Sequence, residues 1–303
     1  MKIAVLDAVT INPGDLSWEK VSSLGETKIF DRTPPEKVIE TIGDADAVFT
    51  SKVKITREVM DACPNMKFIS LLATGYDNVD LSAAGERGIA VCNIPAYSTE
   101  TVAQHTFALI LELTNRVGLH NQAVQTDEWS ASPDFCLIKG GISQLSGKSL
   151  GIIGYGNIGR RVAAIAEAFG MTVNIYSRDR QAAITSDIVS LHCPATPENR
   201  GFINADFISQ MKDGAILINT ARGALIHEAD LAAALSSGKI SAAGLDVLNG
   251  EPPRAGNPLI GAPNCIITPH IAWASLEARK TICEVSGDNL KSWMEGGMLN
   301  RII

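Results

Sequence analysis

Six residues, Gly154-Tyr155-Gly156-Asn157-Ile158-Gly159, constrain this chain more than any other stretch. They stand directly after the apolar run LGII and directly before an amphipathic, helix-like segment. In that setting the three glycines have separate duties. The first permits a tight turn out of a strand, the second lets the backbone approach a pyrophosphate, and the third lets helix and strand pack closely; the helix N-terminus offers free N–H groups to the phosphates. A nicotinamide dinucleotide is the expected cofactor, with Gly154, Gly156, Asn157, Ile158 and Gly159 at the turn that holds it.

The second cofactor position lies about 20 residues further on, where NAD sites carry an acidic residue for the ribose hydroxyls. Here that place falls on Ser177, followed by Arg178, with Asp179 one step later. Without a carboxylate a 2′-phosphate is not repelled, and Arg178 can pair with it, so NADP is expected ahead of NAD. The alternative leaves Arg178 solvated and puts Asp179 on the ribose in a shifted register, which restores NAD.

Around the glycine turn the chain alternates short apolar runs with helix-like stretches. From Lys148 the runs are SLGIIG (149–154), TVNIY (172–176), DIVSLHC (187–193), AILIN (215–219), AAGLDV (242–247) and CIITPH (265–270). The first third repeats the rhythm with KIAVLD (2–7), DAVFT (46–50) and KFISLLAT (67–74), separated by helix-like residues 35–42 and 56–62. The pattern predicts an α/β chain of two doubly wound parallel sheets, and 303 residues is the length of about two domains. Ser98 is expected to N-cap a long helix over 99–113, and a last helix over 276–295 to pack back against the first domain. Residues 114–147 are weakly periodic and carry Trp129 and Phe135, which suits an excursion serving as an oligomer contact or as a surface loop.

One interval does not fit. Only ten residues, 177–186, separate two runs expected to be parallel strands, where a crossover normally takes about a dozen or more. Either the adenosine side of the fold is trimmed or a mobile segment is absent from the sequence; the second is expected, with a break or strained connection near Arg178 to Thr185.

Composition excludes several classes of function. There are 26 Lys and Arg against 33 Asp and Glu, a net charge of -7, so no basic field attracts a nucleic acid or an anionic lipid surface. No apolar run approaches the roughly 20 residues of a membrane span, Asp7 interrupts the apolar N-terminus, and the cytoplasm is the expected location. The six cysteines form no C-x-x-C pair or zinc spacing, and no metal is expected.

The chemistry is expected where three successive runs of the second sheet end in polar residues: Thr220-Ala221-Arg222-Gly223, Asn249-Gly250-Glu251 and Pro269-His270. In open α/β sheets ligands bind at that edge. Arginine clamps a carboxylate and polarises the adjacent carbonyl, imidazole exchanges protons near neutral pH, and a carboxylate holds the imidazole, a set suited to reducing a 2-keto acid. Arg222, Glu251 and His270 are the expected catalytic residues, whereas His105, His120 and His227 read as structural or surface residues.

These residues sit within longer motifs: ATGYDNVD (73–80), NIPAYSTETVAQHTFALIL (93–111), GIIGYGNIG (151–159), LHCPATPENRG (191–201), INTARG (218–223), GLDVLNGEPP (244–253) and TPHIAW (268–273). Together they resemble the D-isomer-specific 2-hydroxyacid dehydrogenase family, especially its glycerate dehydrogenase (hydroxypyruvate reductase) branch, over nearly the whole chain. The resemblance implies a flavodoxin-like substrate domain from residues 1–96 plus 285–303, an NAD(P)-binding Rossmann domain from 97–284, and an active site in the cleft. It implies that Arg222 binds the substrate carboxylate and carbonyl, that His270 is the acid/base, and that Glu251 pairs with it. Ala73, Thr74 and Gly75 would hold the carboxylate from the other domain, and Cys193, Pro194, Thr220 and Asp246 would line the nicotinamide side. A homodimer embraced by 114–147 is the family's usual assembly. Hydroxypyruvate and glyoxylate are the expected substrates; a nucleotide-sensing scaffold related to corepressors of this fold is the competing class.

Overall fold

Parallel strands covered on both faces by helices carry unbroken apolar runs, and the buried strands here are of that kind: AVFT at 47–50 and FISL at 68–71 have no exposed residue. The structure, a computed structural model, describes residues 1–303. The chain divides into two units, Met1–Ser98 with Ala274–Ile303, and Thr99–Trp273. The second boundary falls at Ala274 rather than 285 because residue 285 lies inside one continuous helix, Leu276–Met294.

The first unit is a five-stranded parallel sheet of β1 (Lys2–Val5), β2 (Glu26–Ile29), β3 (Ala47–Thr50), β4 (Phe68–Leu71) and β5 (Ala90–Cys92), in the order β2-β1-β3-β4-β5. Helices α1 (Glu19–Ser22), α2 (Val38–Ile42), α3 (Arg57–Ala62) and α4 (Leu81–Glu86) fill the connections. The Thr56 and Asp80 side chains cap α3 and α4 by accepting from the amides three residues on. Strand β2 has no counterpart in the sequence reading, because ETKI is an edge strand with no buried residue and so no apolar signature. The C-terminal helix packs on this sheet, with the Trp293 ring 5.2 Å from that of Phe68.

The second unit begins with α5 (Thr99–Asn115) and α6 (Val117–Gln125); Arg116, at φ 52°, turns the chain between them. The excursion is therefore helical in its first part. Residues 126–147 contain neither α-helix nor strand, and there Phe135 is 92% and Ile138 69% exposed. Six parallel strands follow: β6 (Ser149–Ile153), β7 (Thr172–Ile175), β8 (Ile188–Leu191), β9 (Ala215–Asn219), β10 (Ile240–Leu245) and β11 (Cys265–Ile267). Their order is β11-β10-β9-β8-β6-β7, and the helices between them are α7 (Asn157–Ala168), α8 (Arg180–Ile184), α9 (Ala205–Gln210) and α10 (Glu228–Ser237). The chain runs outward from β6 to β7 and then returns across β6 to β8. The switch point thus falls between β6 and β8, where α/β sheets bind ligands.

The expected break near Arg178 to Thr185 is absent. The connection is closed by the five-residue α8, capped by the Asp179 side chain accepting from the Ala182 amide, and no residue from 177 to 186 has positive φ. Asn174 Nδ2 donates to Ala182 O (3.3 Å) and Ser186 Oγ (3.0 Å), tying the strand to the return. The adenosine side is trimmed, and a glycine makes that possible. A Cβ on Gly151 in β6 would lie 2.0 Å from Ala183 O, so α8 rests directly on bare strand backbone.

No helix is long and apolar enough to cross a membrane. The short crossover gives a direct test. Gly151→Ala should destabilise the protein by about 2 kcal/mol through overpacking, lowering Tm by roughly 4–8 °C in a thermal melt. An unchanged Tm would mean that α8 does not seat on β6.

Candidate active site

The glycine turn is built as its sequence demands. Gly154 has φ +101°, and a Cβ there would lie 2.4 Å from His192 C and 2.5 Å from Cys193 N, the backbone leaving β8. A Cβ on Gly159 would lie 2.1 Å from Gly154 O, so the first turn of α7 presses against the strand exit. Gly156 differs from both: its Cβ would meet nothing within 4 Å. That opening lies at the N-terminus of a 12-residue helix over Asn157–Ala168, and the residues present therefore fit a pyrophosphate. Asn157 and Ile158 form the helix's first turn.

Beyond β7, Ser177 and Arg178 are exposed, and the Arg178 guanidinium lies over the Tyr155 ring, 5.2 Å from its centroid. Arg178 thus leans over the glycine turn. Asp179 Oδ1 accepts from the Ala182 amide at 2.9 Å, so this carboxylate caps α8. Beyond β8, Pro194 is exposed, its carbonyl held by Asn199 Nδ2 at 2.9 Å, and burial pushes the neighbouring Cys193 thiol up.

The catalytic candidates occupy the exits of β9, β10 and β11. Asn219, wholly buried at the end of β9, shapes the first exit: its Nδ2 donates to Arg222 O (2.9 Å) and its Oδ1 accepts from the Ala221 amide (3.0 Å). Thr220 Oγ1 bonds Thr106 Oγ1 at 3.0 Å in the interior, leaving the exposed Arg222 as the first charged group to emerge. A Cβ on the next residue, Gly223, would lie 2.0 Å from Leu248 C, so the Arg222 turn abuts the loop that carries Glu251. Glu251 Oε1 accepts from the Leu248 amide at 2.9 Å, and Oε2 meets His270 Nδ1 at 2.5 Å. The two side chains are 33% and 27% exposed.

His270 sits at φ 55°, in the left-handed region where a non-glycine residue is strained unless its surroundings hold it. Its amide donates to Asp246 O and Thr268 O, both at 2.9 Å. Asp246, 1% exposed, accepts from Thr268 Oγ1 (2.6 Å) and the Ile271 amide (2.9 Å) through Oδ1, and from the Ala272 amide (2.8 Å) through Oδ2. This carboxylate clamps the turn that carries His270. Sequence reasoning placed Asp246 on the nicotinamide side and missed this duty.

One histidine, His192, was not singled out in the sequence, and another, His105, was read there only as structural or surface. His105 Nε2 lies 2.9 Å from Thr268 Oγ1, two residues before His270, and the polar pair Thr101 and His105 at helical i,i+4 spacing was the available signal. His192 pairs its Nε2 with Ser190 Oγ (2.8 Å), while its buried Nδ1 has no partner. In the first unit, Ala73, Thr74 and Gly75 follow β4, with Thr74 Oγ1 donating to Ile94 O at 2.7 Å; their three amides donate to no group of the chain.

A dinucleotide turn beside an Arg, Glu and His at one sheet edge defines a nicotinamide-dependent oxidoreductase. The family model for the D-isomer specific 2-hydroxyacid dehydrogenase NAD binding domain matches residues 107–272, and the chain belongs to that family. Its substrates are small 2-hydroxy or 2-keto acids. The chain is 46% identical to a hydroxypyruvate reductase of Blautia hydrogenotrophica, covering 99% of each chain. It is 39% identical to a glycerate dehydrogenase of Methylorubrum extorquens, covering 97% of this chain and 96% of that one. A solved structure of an acyclic imino acid reductase in complex with NADPH and D-Arg is 30% identical, with a TM-score of 0.86 over 100% of both chains. Relatives with enzyme names do not favour the scaffold alternative.

Burial drives the His192 imidazole down to about 4 from its ordinary 6.5, so the ring stays neutral at physiological pH. The unfolded chain binds this proton first as pH falls. Stability from the neutral ring is therefore complete above pH 6.5 and is lost as pH falls toward about 4. At pH 5 the loss is on the order of 2 kcal/mol. His192→Gln, which cannot titrate, should lose that much less between pH 7 and pH 5 in urea midpoints; parallel losses in both proteins would refute the assignment.

Proposed function

We propose that this enzyme reduces hydroxypyruvate, and glyoxylate with it, using NADPH, with His270 as the acid/base. The observation that carries the reading is the Glu251–His270 pair at 2.5 Å, presented by the exits of β10 and β11 beside the β9 exit that carries Arg222. The names of the two curated relatives support the substrate.

The bound cofactor supplies a hydride to C2 of the keto acid. Arg222 binds the substrate carboxylate and polarises the C2 carbonyl, for which a planar guanidinium is suited. The protonated His270 imidazole gives its Nε2 proton to the carbonyl oxygen as the hydride arrives, so the product is a 2-hydroxy acid and the ring ends neutral. Glu251, bonded to Nδ1, orients the ring and offsets the positive charge of the imidazolium. The amides of Ala73, Thr74 and Gly75 bond no group of the chain, which supports keeping them as anion-binding candidates of the first unit. Cys193, Pro194 and Thr220 complete the nicotinamide side.

Preference for NADPH is supported by Ser177 in place of an acid, by the commitment of Asp179 Oδ1 to the helix cap, and by Arg178 over Tyr155. A homodimer is supported by the exposed Trp129, Phe135 and Ile138 of the excursion, a patch that a second copy would cover. A cytoplasmic location is supported by six free thiols.

Initial rates at 340 nm with hydroxypyruvate test the reading. NADPH should be consumed faster than NADH, and Arg178→Ala should erase most of that difference; a parent protein that prefers NADH would overturn the Arg178 assignment alone. His270→Ala should lower kcat by about 100-fold or more, and near-normal turnover would remove His270 from the mechanism. No turnover with hydroxypyruvate, glyoxylate or pyruvate would overturn the proposed reaction.

A further inference from the structure

His105 lies in the middle of α5, and the mechanism above makes no use of it. Its hydrogen bond nevertheless has a direction that follows from the atoms around it. Thr268 Oγ1 lies 2.6 Å from Asp246 Oδ1, and every other group on that carboxylate is an N–H donor, so the single hydroxyl proton goes to Asp246. The oxygen is left to accept. His105 Nε2, at 2.9 Å from Thr268 Oγ1 and 3.5 Å from Asp246 Oδ1, is therefore the donor and carries a proton. One helical turn earlier on the same face, Thr101 Oγ1 donates to Ala272 O at 3.0 Å. Two polar side chains one turn apart on α5 thus bond the segment 268–272.

We propose that His105 is a positioning residue for the reaction. It donates from Nε2 to Thr268, and through Thr268 and the Asp246 carboxylate it fixes the strained turn that presents His270 to Glu251 and the substrate. The chain of contacts is His105 Nε2, Thr268 Oγ1, Asp246 Oδ1, and then the amides of Ile271 and Ala272, which follow His270 directly. Without the His105 proton, Thr268 can turn its hydroxyl elsewhere, Asp246 loses one donor, and the left-handed geometry of His270 is less strongly held. The requirement on residue 105 is a proton donor at the reach of Nε2, which glutamine retains and leucine lacks. This inference rests on His270 being the acid/base.

The test uses the whole chain in three single variants, His105→Leu, His105→Gln and Thr268→Val, and in the double variant of His105→Leu with Thr268→Val. With hydroxypyruvate, His105→Leu should lower kcat about 10-fold while KM stays within about 2-fold, because geometry at the reacting atoms changes and carboxylate binding does not. His105→Gln should stay within about 3-fold of the parent. The double variant should be no slower than Thr268→Val alone, since both act through one contact. A second readout needs no turnover: amide hydrogen exchange at Ile271 and Ala272 should quicken about 10-fold in His105→Leu and Thr268→Val and stay near the parent rate in His105→Gln. Parental kcat in His105→Leu, equal losses for Leu and Gln, or losses that multiply in the double variant would each overturn the proposal. Unchanged exchange at the two amides would overturn it as well. A parent protein inactive on every keto acid would defeat the proposed reaction, and the exchange measurement would still decide the role of His105.

Discussion

A buried carboxylate destabilises the fold that holds it unless donors surround it, and Asp246 is surrounded by an organised set of them. Its two oxygens take one hydroxyl and two backbone amides, and its own carbonyl takes the amide of His270. These contacts join the end of β10 to the residues leaving β11. A His270 at φ 55° persists only where its neighbours over-determine it, and this cluster does so. The imidazole reaches Glu251 because the backbone beneath it cannot relax into an extended form. Glu251 is fixed in turn by the Leu248 amide, and the backbone of Leu248 is the surface on which the Arg222 turn rests at Gly223. Three catalytic candidates from three strand ends are thereby linked through one buried anion and one glycine.

The cofactor end of the same unit shows the opposite use of glycine. Gly154 and Gly159 are required because backbone already occupies the places their Cβ atoms would take, whereas Gly156 is surrounded by open space. Two glycines serve the protein's own packing and one serves a visitor. Gly151, inside β6, extends the first pattern to the trimmed return from β7, where α8 lies against bare strand. Shortening the crossover is compatible with the sheet because position 151, where Ala183 comes closest, has no side chain. Within that short return Asp179 caps α8, and Arg178 lies over Tyr155 of the glycine turn.

How much of this was legible in the sequence depended on whether a signal was local. The strands of both sheets were readable because doubly covered strands carry continuous apolar runs, and the glycine turn because its spacing is set by the turn itself. Arg222, Glu251 and His270 were readable as polar residues at run ends. The edge strand β2 was not, since an exposed strand loses the pattern that marks a buried one, and α8 was not, since five residues are too few to show a period. The duty of Asp246 was hidden for a different reason. Its donors lie at least 22 residues away in the chain, and nothing about an aspartate at the end of an apolar run tells whether it faces a ligand or a turn.

His105 carries that lesson one step further. A histidine on a helix is most often structural, and that reading is correct as far as it goes, since the hydrogen bond of His105 goes to Thr268 and not to Arg222, Glu251 or His270. What the sequence could not show is that its hydrogen bond reaches the turn that carries His270. The proposed role rests on a chain of hydrogen bonds whose last member is unremarkable in isolation, and the direction of each bond follows from the one before it. A carboxylate that accepts from every neighbour takes the proton of Thr268, and Thr268 then takes one from His105. Enzymes that present an acid/base from a strained backbone need such support from behind, because packing alone holds position loosely and a bonded carboxylate holds it at a defined angle. In this chain the support comes from α5, the first helix of the unit, so the opening residues of the cofactor-binding unit and its last strand are coupled through the active site.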